Sequence, residues 1–362
     1  MIGKPHLNAL EPPQLCDAFI AHPPEHFEAH RLDAGGGNLP IFLTRFDLLT
    51  TLDDDVKHRV EKIPGIKSVA RALLRPRTIF AGTTVSEYAV FPACDDFVPL
   101  ANALLGEMKT RGAKLAIFKD VPQNSPLLSD TENAAAEKLL AACRANGFTI
   151  LEGQALAYLP VDFKSEEEYL ARFSGTRRKN MRQKLRNRAQ IQIEEIATGD
   201  EKFADEKFTG ELYAMYENVF AQSEIHFDKL TREFFTSIYR DASNGGIVFL
   251  YRVAGKLIGW NLCFVCNGNL ADKFIGLVYP DARDVSLYFV SWFHNVEFAR
   301  KNGLKNYIVG WTDPKVKASL GAKFTFTQHA VFLHNPLYRF VLNRCQRFFE
   351  PDKNMIETKT GA

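Results

Sequence analysis

Three neighbouring strand candidates in the second half of the chain constrain its fold more than any other feature. Each combines β-branched and aromatic residues, and Gly or Asn residues separate one from the next; they read GGIVFLYRVAG, KLIGWNLCFVCNG and NLADKFIGLVYP. Strand candidates joined by such short turns predict an antiparallel meander. A helix candidate, SLYFVSWFHNVEFARKNG, comes next, followed by a strand, a loop with Lys and Gly, and a last strand.

The first half of the chain shows a weaker copy of this order. Strand candidates alternate with two helix candidates, 97–112 and 129–147, and both helix candidates end on Gly, a helix-stop signal. This alternation predicts an α/β or α+β protein rather than a helical bundle. The length of 362 residues and the apolar fraction of 46% fit a soluble protein with one large or two ordinary domains.

The segment GTRRKNMRQKLRNR (175–188) concentrates positive charge in a chain whose net charge is only +2. Seven of its last twelve residues are Arg or Lys, and no acidic residue occurs from 169 to 193. On a helix, Met181, Leu185 and Ala189 form an apolar seam, and the cations lie on both flanks. Surface helices normally mix both signs, so the segment predicts a phosphate-bearing partner, with a plain surface helix as the alternative.

Several phosphate-bearing partners fit this segment. The pI of 8.1 and the absence of aromatic residues within the segment exclude DNA and disfavour tRNA. Coenzyme A needs only a few well-placed Arg or Lys residues, and an anionic lipid head group is equally compatible.

The element order and four segments resemble the double-GNAT, FemAB-like N-acyltransferases of bacteria, which include proteins of peptidoglycan biosynthesis and recognition. The segments are FSGTRRKNMRQKLR, LADKFIGLVYP, EFARKNGLKNYIVG and KVKASLGAKF. The resemblance implies an α/β (α+β) fold of two tandem GNAT-type domains, each a mixed, largely antiparallel sheet flanked by helices. The expected ranges are a loop-rich segment 1–38, a first domain 39–162, a second, catalytic domain 163–335, and a C-terminal amphipathic helix and tail 336–362.

The resemblance also implies an enzyme that transfers an acyl group from an acyl thioester, acyl-CoA or acyl carrier protein, to an amine. The thioester is a co-substrate, so no permanently bound cofactor is expected. Direct attack of an amine on a carbonyl needs a base and a donor for the developing oxyanion, but no covalent nucleophile. The usual GNAT cofactor loop, Arg/Gln-x-x-Gly-x-Gly/Ala, is absent from the chain.

Asp272 is the first candidate base, because a carboxylate in an otherwise apolar strand is costly unless it has a function or a partner. Lys273 is expected to point to the opposite, exposed face of the strand. Tyr279 is a candidate proton donor at the end of the strand, and the backbone amides of 272–279 are candidate oxyanion donors.

His294 and Glu297 are spaced i, i+3 on a helix and are expected to touch, either as a base with its orienting carboxylate or as a surface pair. The candidate residues for binding the phosphates of the thioester are Arg177, Arg178, Arg182 and Lys317. No metal site is expected, because Cys263 and Cys266 would point to opposite faces of a strand and no second pair exists.

Three hypotheses about the acceptor and the function remain open. The 29 Phe residues suit a large core or an apolar tunnel, and the basic, amphipathic C-terminal segment suits domain docking or a membrane surface. Both features favour a long-chain amine such as a sphingoid base, acylated as in ceramide formation. The alternatives are a FemAB-type transferase that uses aminoacyl-tRNA on a peptidoglycan precursor, and a non-catalytic GNAT pair that binds an anion. The N-terminus lacks a secretory signal, which predicts a cytoplasmic protein, peripheral to the inner membrane surface if its substrate is a lipid.

Overall fold

The computed structural model describes residues 6–34, 37–46, 75–223 and 227–336, together with residues 339 and 342. The chain divides into two compact units. The first comprises Met1–Ala9, His26–Ala155 and Thr325–Ala362, and the second comprises Leu10–Glu25 and Leu156–Phe324.

The described residues form thirteen strands and ten α-helices, numbered along the chain. The strands are β1 His6–Leu7, β2 Glu28–Asp33, β3 Asn38–Arg45, β4 Arg77–Ala81, β5 Phe91–Pro92, β6 Leu115–Gln123, β7 Thr149–Pro160, β8 Ile191–Ala197, β9 Gly246–Val253, β10 Lys256–Cys266, β11 Asn269–Leu277, β12 Asn306–Gly310 and β13 Lys323–Leu333. The helices are α1 Pro13–Ala21, α2 Val98–Thr110, α3 Asp130–Ala145, α4 Glu166–Ala171, α5 Gly175–Leu185, α6 Glu206–Gln222, α7 Arg232–Arg240, α8 Asp281–Asp284, α9 Leu287–Lys301 and α10 Pro314–Ser319.

The first unit contains a sheet in the order β2-β3-β4-β6-β13. Its neighbours are antiparallel except β4 and β6, which are parallel because helix α2 connects them. Helix α3 begins where the sequence predicts, because Ser129 and Glu132 form a reciprocal capping box. Both helices bury apolar residues in the core of this unit, among them Leu104 and Leu139.

The second unit repeats this arrangement with the order β8-β9-β10-β11-β12 and then the end of β7. The predicted meander β9-β10-β11 is confirmed, and α9 leads from β11 to the parallel strand β12. The core of this unit takes up most of α9, including Trp292, Phe293 and Val296.

The last strand of each half of the chain belongs to the sheet of the other half. Strand β7 follows α3 along the chain, yet its final residues pair with β12. Strand β13 follows α10, yet it pairs with β6. The predicted fold class, two tandem GNAT-type domains with mixed sheets flanked by helices, is confirmed. The units are not the contiguous ranges 39–162 and 163–335, because 325–333 lies in the first unit and 10–25 lies in the second.

Strands β11 and β12 separate soon after they begin to pair. Their parallel pairing covers only Asn269–Ala271 and Asn306–Ile308. Strand β11 continues to Leu277 with β10 as its neighbour, and a bulge between Leu262 and Cys263 interrupts that pairing beside Asp272. From Asp272 onward, β11 therefore has a ladder partner on one side only.

Aromatic residues of the second unit pack against one another rather than standing apart from the core. The ring of Phe235 lies 5.9 Å from that of Trp260 and 5.2 Å from that of Phe274, and Phe234 joins the same group. The predicted C-terminal helix and tail, 336–362, lies outside the described residues apart from 336, 339 and 342. Among the described helices, none combines the length and the hydrophobicity that crossing a membrane requires.

Gly276 supplies a test of this packing. A Cβ at Gly276 would lie 2.1 Å from Nε1 of the fully buried Trp260 and 2.9 Å from Cβ of Met215. We expect Gly276→Ala to lower the free energy of unfolding by about 1–3 kcal/mol, the usual cost of overpacking a core. Chemical denaturation measures it.

Gly106→Ala is the matched control. Gly106 is exposed on helix α2, and a Cβ added there would meet no atom within 4 Å, so Ala is expected to stabilise by up to about 1 kcal/mol. Equal stability of the two variants would contradict the packing described for Trp260.

Candidate active site

Asp272 lies where β11 leaves β12, and three side chains from three other elements donate hydrogen bonds to its carboxylate. Tyr307 of β12 donates from Oη to Oδ2 at 2.6 Å, and Asn261 of β10 donates from Nδ2 to Oδ1 at 2.5 Å. Asn295 of α9 donates to Oδ2 at 3.2 Å. The carboxylate is therefore solvated by the protein on both oxygens, as a charged group in an apolar strand requires.

These donors are also bonded to one another. The Asn295 amide donates to Oδ1 of Asn261 at 2.6 Å, and Cys263 donates its S–H to the same oxygen at 3.3 Å. A network of this kind fixes the rotamer of each member, so Asp272 has one defined orientation.

The ammonium of Lys317 acts on this carboxylate from the short helix α10. Lys317 is only 2% exposed, which is rare for a lysine without a function or an anionic neighbour. Burial raises the pKa of the Asp272 carboxyl, while the Tyr307 and Asn261 hydrogen bonds and the Lys317 charge oppose that rise. A raised pKa makes Asp272 a stronger base than an exposed aspartate.

The backbone of β11 next to Asp272 is accessible. Lys273 has a side chain that is only 6% exposed, yet the residue as a whole is half-buried, so its exposed surface is main chain. Asp272, Phe274 and Ile275 are also half-buried. Amide groups on this edge have no ladder partner in β12, since that pairing ends at Ala271.

The expectation that Lys273 is exposed is wrong. Its ammonium lies 3.1 Å from Oε1 of Glu11, whose side chain is 3% exposed. Glu11 precedes helix α1, so this buried ion pair attaches the N-terminal segment of the second unit to the strand that carries Asp272. The β10–β11 bulge lies at the same place, and bulges redirect neighbouring side chains.

Tyr288, on the first turn of α9, lies close enough to Asp272 for their charges to interact. Burial of its hydroxyl and the charges of Asp272 and Asp313 raise the pKa of Tyr288, although 39% of the residue is exposed. Tyr288 is therefore partly exposed at the surface, and its hydroxyl is buried within the range of the Asp272 charge.

His294 and Glu297 do not form the predicted contact. Glu297 bonds to Arg300 at 2.7 and 2.8 Å, and the nearest carboxylate oxygen to His294 Nε2 among the described residues belongs to Glu195, at 3.6 Å. The imidazole packs on Phe249, and burial together with the charges of Arg188 and Lys301 lowers the pKa of His294 to about 4. Arg300, one turn on from Glu297, is the better partner because it reaches both carboxylate oxygens.

Tyr279 lies apart from Asp272. It is seven residues further along, roughly 20 Å on an extended chain. The guanidinium of Arg283 lies 4.5 Å from the centre of its ring. Of the predicted site residues, Lys317 has a charge that acts on Asp272. His294, Glu297 and Tyr279 contact other residues instead.

Helix α5 carries the predicted basic segment. Met181 is buried and Leu185 is half-buried, as the seam predicts, but Ala189 is exposed because the chain tightens into a 3₁₀ helix at Arg186–Gln190. Arg188 pairs with Glu166 at 2.8 Å.

An open, exposed surface runs along one side of α5 and the residue that follows it. Among the described residues it is lined by Gly175, Arg178, Lys179, Arg182, Gln183 and Arg186. None of its four cations has an ion-pair partner within the described ranges, and we call these four residues the basic face. Arg177 lies outside it, with its guanidinium 6.0 Å from the ring centre of Phe173. Lys317 does not line it either, and its charge acts on Asp272.

Sequence reasoning missed the groups that orient Asp272. Asn261 stands in an apolar strand just as Asp272 does, and Asn295 follows His294 in an aromatic helix. Both could have been identified from the sequence, because each is a polar residue within an apolar or aromatic segment. Tyr307 and Glu11 gave no signal, because a tyrosine in a strand and a glutamate in a loop are ordinary. No group of three or more His, Cys, Asp or Glu side chains in the described part of the chain is arranged to bind a metal ion.

Comparison with solved structures supports the fold. The C-terminal domain of a protein described as a lysylphosphatidylglycerol synthetase from Agrobacterium fabrum is 14% identical, with a TM-score of 0.54 and 86% of each chain covered. L-PGS from Bacillus licheniformis is 9% identical, with a TM-score of 0.54 over 95% of this chain and 98% of that one. A conserved protein of unknown function from Bacteroides thetaiotaomicron is 11% identical, with a TM-score of 0.50 over 90% and 93%.

A search of curated protein sequences gives no match. The FemAB-like family profile, described as peptidoglycan biosynthesis/recognition, matches residues 110–359. That range covers more than half of the chain and includes Asp272, Lys317 and the basic face. The chain therefore belongs to the FemAB-like family.

Proposed function

We propose that this protein is a transferase that moves an acyl or aminoacyl group from an activated carrier to an amine, with Asp272 as the general base. The observation that carries the proposal is the Asp272 carboxylate at the open edge of β11, oriented by three donors and adjacent to the buried charge of Lys317. Buried carboxylates with a raised pKa and a fixed orientation are candidates for functional sites.

The proposed reaction uses each part of this arrangement. Asp272 takes a proton from the acceptor ammonium, and the free amine attacks the carbonyl carbon. The new C–N bond forms as the C–S or C–O bond to the carrier breaks, and the carrier leaves with a proton. Backbone amides of β11 and the Lys317 ammonium are the candidate donors to the oxyanion. No covalent nucleophile is needed.

The basic face is the proposed binding surface for the phosphates of the carrier. Arg178, Arg182 and Arg186 recur at i, i+4 and i+8, so the cations extend for about 12 Å along one side of α5. Unpaired Arg residues bind phosphate through bidentate hydrogen bonds. CoA thioesters and aminoacyl-tRNA both present such phosphates.

Acyl-CoA or acyl carrier protein as donor, with a long-chain amine such as a sphingoid base as acceptor, is the first specific candidate. The basic face supports this candidate. The Phe content, which suggested a tunnel, supports it less, because many of the described Phe residues pack in the cores. Aminoacyl-tRNA is the second candidate, and FemAB-like membership favours it. The solved relatives include one described as a synthetase of lysylphosphatidylglycerol, a lipid that carries an aminoacyl group.

One assay separates these donors. Purified protein receives acetyl-CoA, palmitoyl-CoA or a mixed pool of radiolabelled aminoacyl-tRNA, each with and without a long-chain amine. Amine-dependent release of free thiol identifies a thioester donor. Ribonuclease-sensitive transfer of label to an acceptor identifies the tRNA donor. Failure of every donor, with amines and with peptidoglycan precursors, would contradict a transferase and favour a protein that only binds anions.

Removing the base tests the proposed chemistry. We expect Asp272→Asn to reduce kcat by about 10²–10⁴-fold, the usual contribution of a general base. The base must be ionised, so wild-type activity should fall as pH decreases through the pKa of Asp272, above its ordinary value of 3.8. Asp284→Asn, an exposed acid on α8, is the control and should keep full activity. An active Asp272→Asn would exclude Asp272 as the base.

Neutralising the basic face tests its role separately. The double variant Arg178→Gln/Arg182→Gln should raise KM or Kd for the donor about tenfold or more, with little change in kcat. The slope of log Kd against log salt should also fall in magnitude, because fewer counterions are released. Lys109→Gln/Lys207→Gln removes two exposed positive charges elsewhere and is expected to bind normally. Equal effects of both pairs would assign the result to net charge alone.

A further inference from the structure

The first unit has its own point of strand divergence, occupied by titratable side chains that the proposed reaction does not use. Parallel pairing of β4 and β6 ends at Ala81 and Phe118. Immediately afterwards β6 bulges, so that Lys119 and Asp120 together oppose His329 of β13. The bulge brings an ammonium, a carboxylate and an imidazole to one place.

Backbone geometry indicates that the side chain of Asp120 has a function here. Asp120 has φ = +55°, a conformation that favours glycine, and it is only 4% exposed. The second unit supplies an internal comparison. Its β12 bulges at the same distance past the end of parallel pairing, and there the left-handed position is Gly310, with φ = +74°. The bulge itself therefore needs no side chain at this position.

Hydrogen bonds around Asp120 fix the proton positions of the cluster. The backbone N–H of Asp120 donates to Nδ1 of His329 at 3.0 Å, so the neutral imidazole carries its proton on Nε2. Burial lowers the pKa of His329, which keeps the ring neutral near pH 7. His329 makes no other hydrogen bond within the described residues, and a quarter of its side chain, 26%, is exposed. Nε2–H is therefore a donor without an acceptor in the described structure.

Lys119 is oriented by the same bulge. Its ammonium donates to the Asp120 carboxylate and to the backbone carbonyl of Thr83, at 3.3 Å for the latter. An ammonium has three N–H donors, so a third remains beyond these two bonds. The side chain is 19% exposed and reaches solvent.

Glu152 of β7 completes the surroundings of His329. Its carboxylate accepts hydrogen bonds from the amides of Gln123 and Gln328, at 2.8 and 3.0 Å, and its charge acts on the imidazole. The cluster thus offers two N–H donors, with the carboxylates of Asp120 and Glu152 beside them.

We propose that Lys119 and His329 form a second, small-molecule site in the first unit, which binds a carboxylate through Nζ–H of the lysine and Nε2–H of the histidine. Asp120 positions both donors, one through its side chain and the other through its backbone amide. The ligand is a simple carboxylic acid or an amino acid, whose ammonium group would approach Glu152. This site needs no activity at Asp272, so its test is independent of the proposed transfer.

The test uses acetate and glycine as probes, with ¹⁵N-histidine NMR of the full chain as the readout. The His329 signals are assigned by their loss in His329→Gln. We expect a protonated Nε2 and an unprotonated Nδ1 in the free protein, and a saturable shift of the Nε2 signal on adding a probe. A shift with both probes identifies the carboxylate alone, and a tighter response to glycine identifies an amino acid. No shift with either probe overturns the proposal.

Two variants of His329 form a matched pair for calorimetry. His329→Asn retains an acceptor near the position of Nδ1 but lacks the distal donor, whereas His329→Gln retains an N–H near the position of Nε2. We expect His329→Asn to weaken probe binding at least tenfold and His329→Gln to retain most of it. Equal binding by both variants would contradict the assigned donor.

Asp120→Gly separates positioning from folding. Glycine is favoured at this φ and Gly310 occupies the corresponding place in the second unit, so the variant should keep its thermal transition. Probe binding should be lost, because Lys119 no longer has a carboxylate to hold it. A lowered melting temperature with unchanged binding would show that Asp120 serves the fold alone.

Discussion

The second unit depends on the solvation of one carboxylate. The side chain of Asp272 is surrounded by a largely apolar core, so its charge is tolerated because Tyr307, Asn261 and Asn295 replace water. These three residues come from two strands and a helix, which means that α9 must lie against β10, β11 and β12 in one arrangement. If one of these hydrogen bonds were missing, the buried charge would destabilise the unit. Arrangements of α9 and the strands that keep all three bonds are therefore favoured.

The pattern of elements was predictable because it depends on local signals. The meander, the helix over 129–147 and the helix that becomes α9 follow from turn residues, helix-stop glycines and periodicity, and all are present. Pairings between distant residues were not predictable. No local rule indicates that Glu11 reaches Lys273, or that Glu297 prefers Arg300 to His294. Asp272 could be predicted as a candidate functional residue, because a charge in an otherwise apolar strand needs a function or a partner. Its hydrogen-bond partners could not be predicted.

The two units place different side chains on one architecture. In the second, the divergence of parallel strands exposes backbone beside an oriented carboxylate, and the adjoining bulge on β12 uses a glycine. In the first, the corresponding bulge carries Lys119 and Asp120. The repeated arrangement supplies the bulge and the open strand edge, while the side chains placed there differ between the two units. Function thus resides in a few positions of a repeated scaffold.

The exchange of final strands has a consequence for how the chain folds. Strand β12 pairs with β7, which comes from the first half of the chain. Strand β6 pairs with β13, which comes from the second half. Cutting the chain between β7 and α4 would leave the first-half fragment without β13 and the second-half fragment without β7, each with an unpaired and aggregation-prone sheet edge. During synthesis, the first sheet must wait for β13, which is translated near the end. Contacts of such large sequence separation slow folding, because the entropy of closing a long loop is lost before they form.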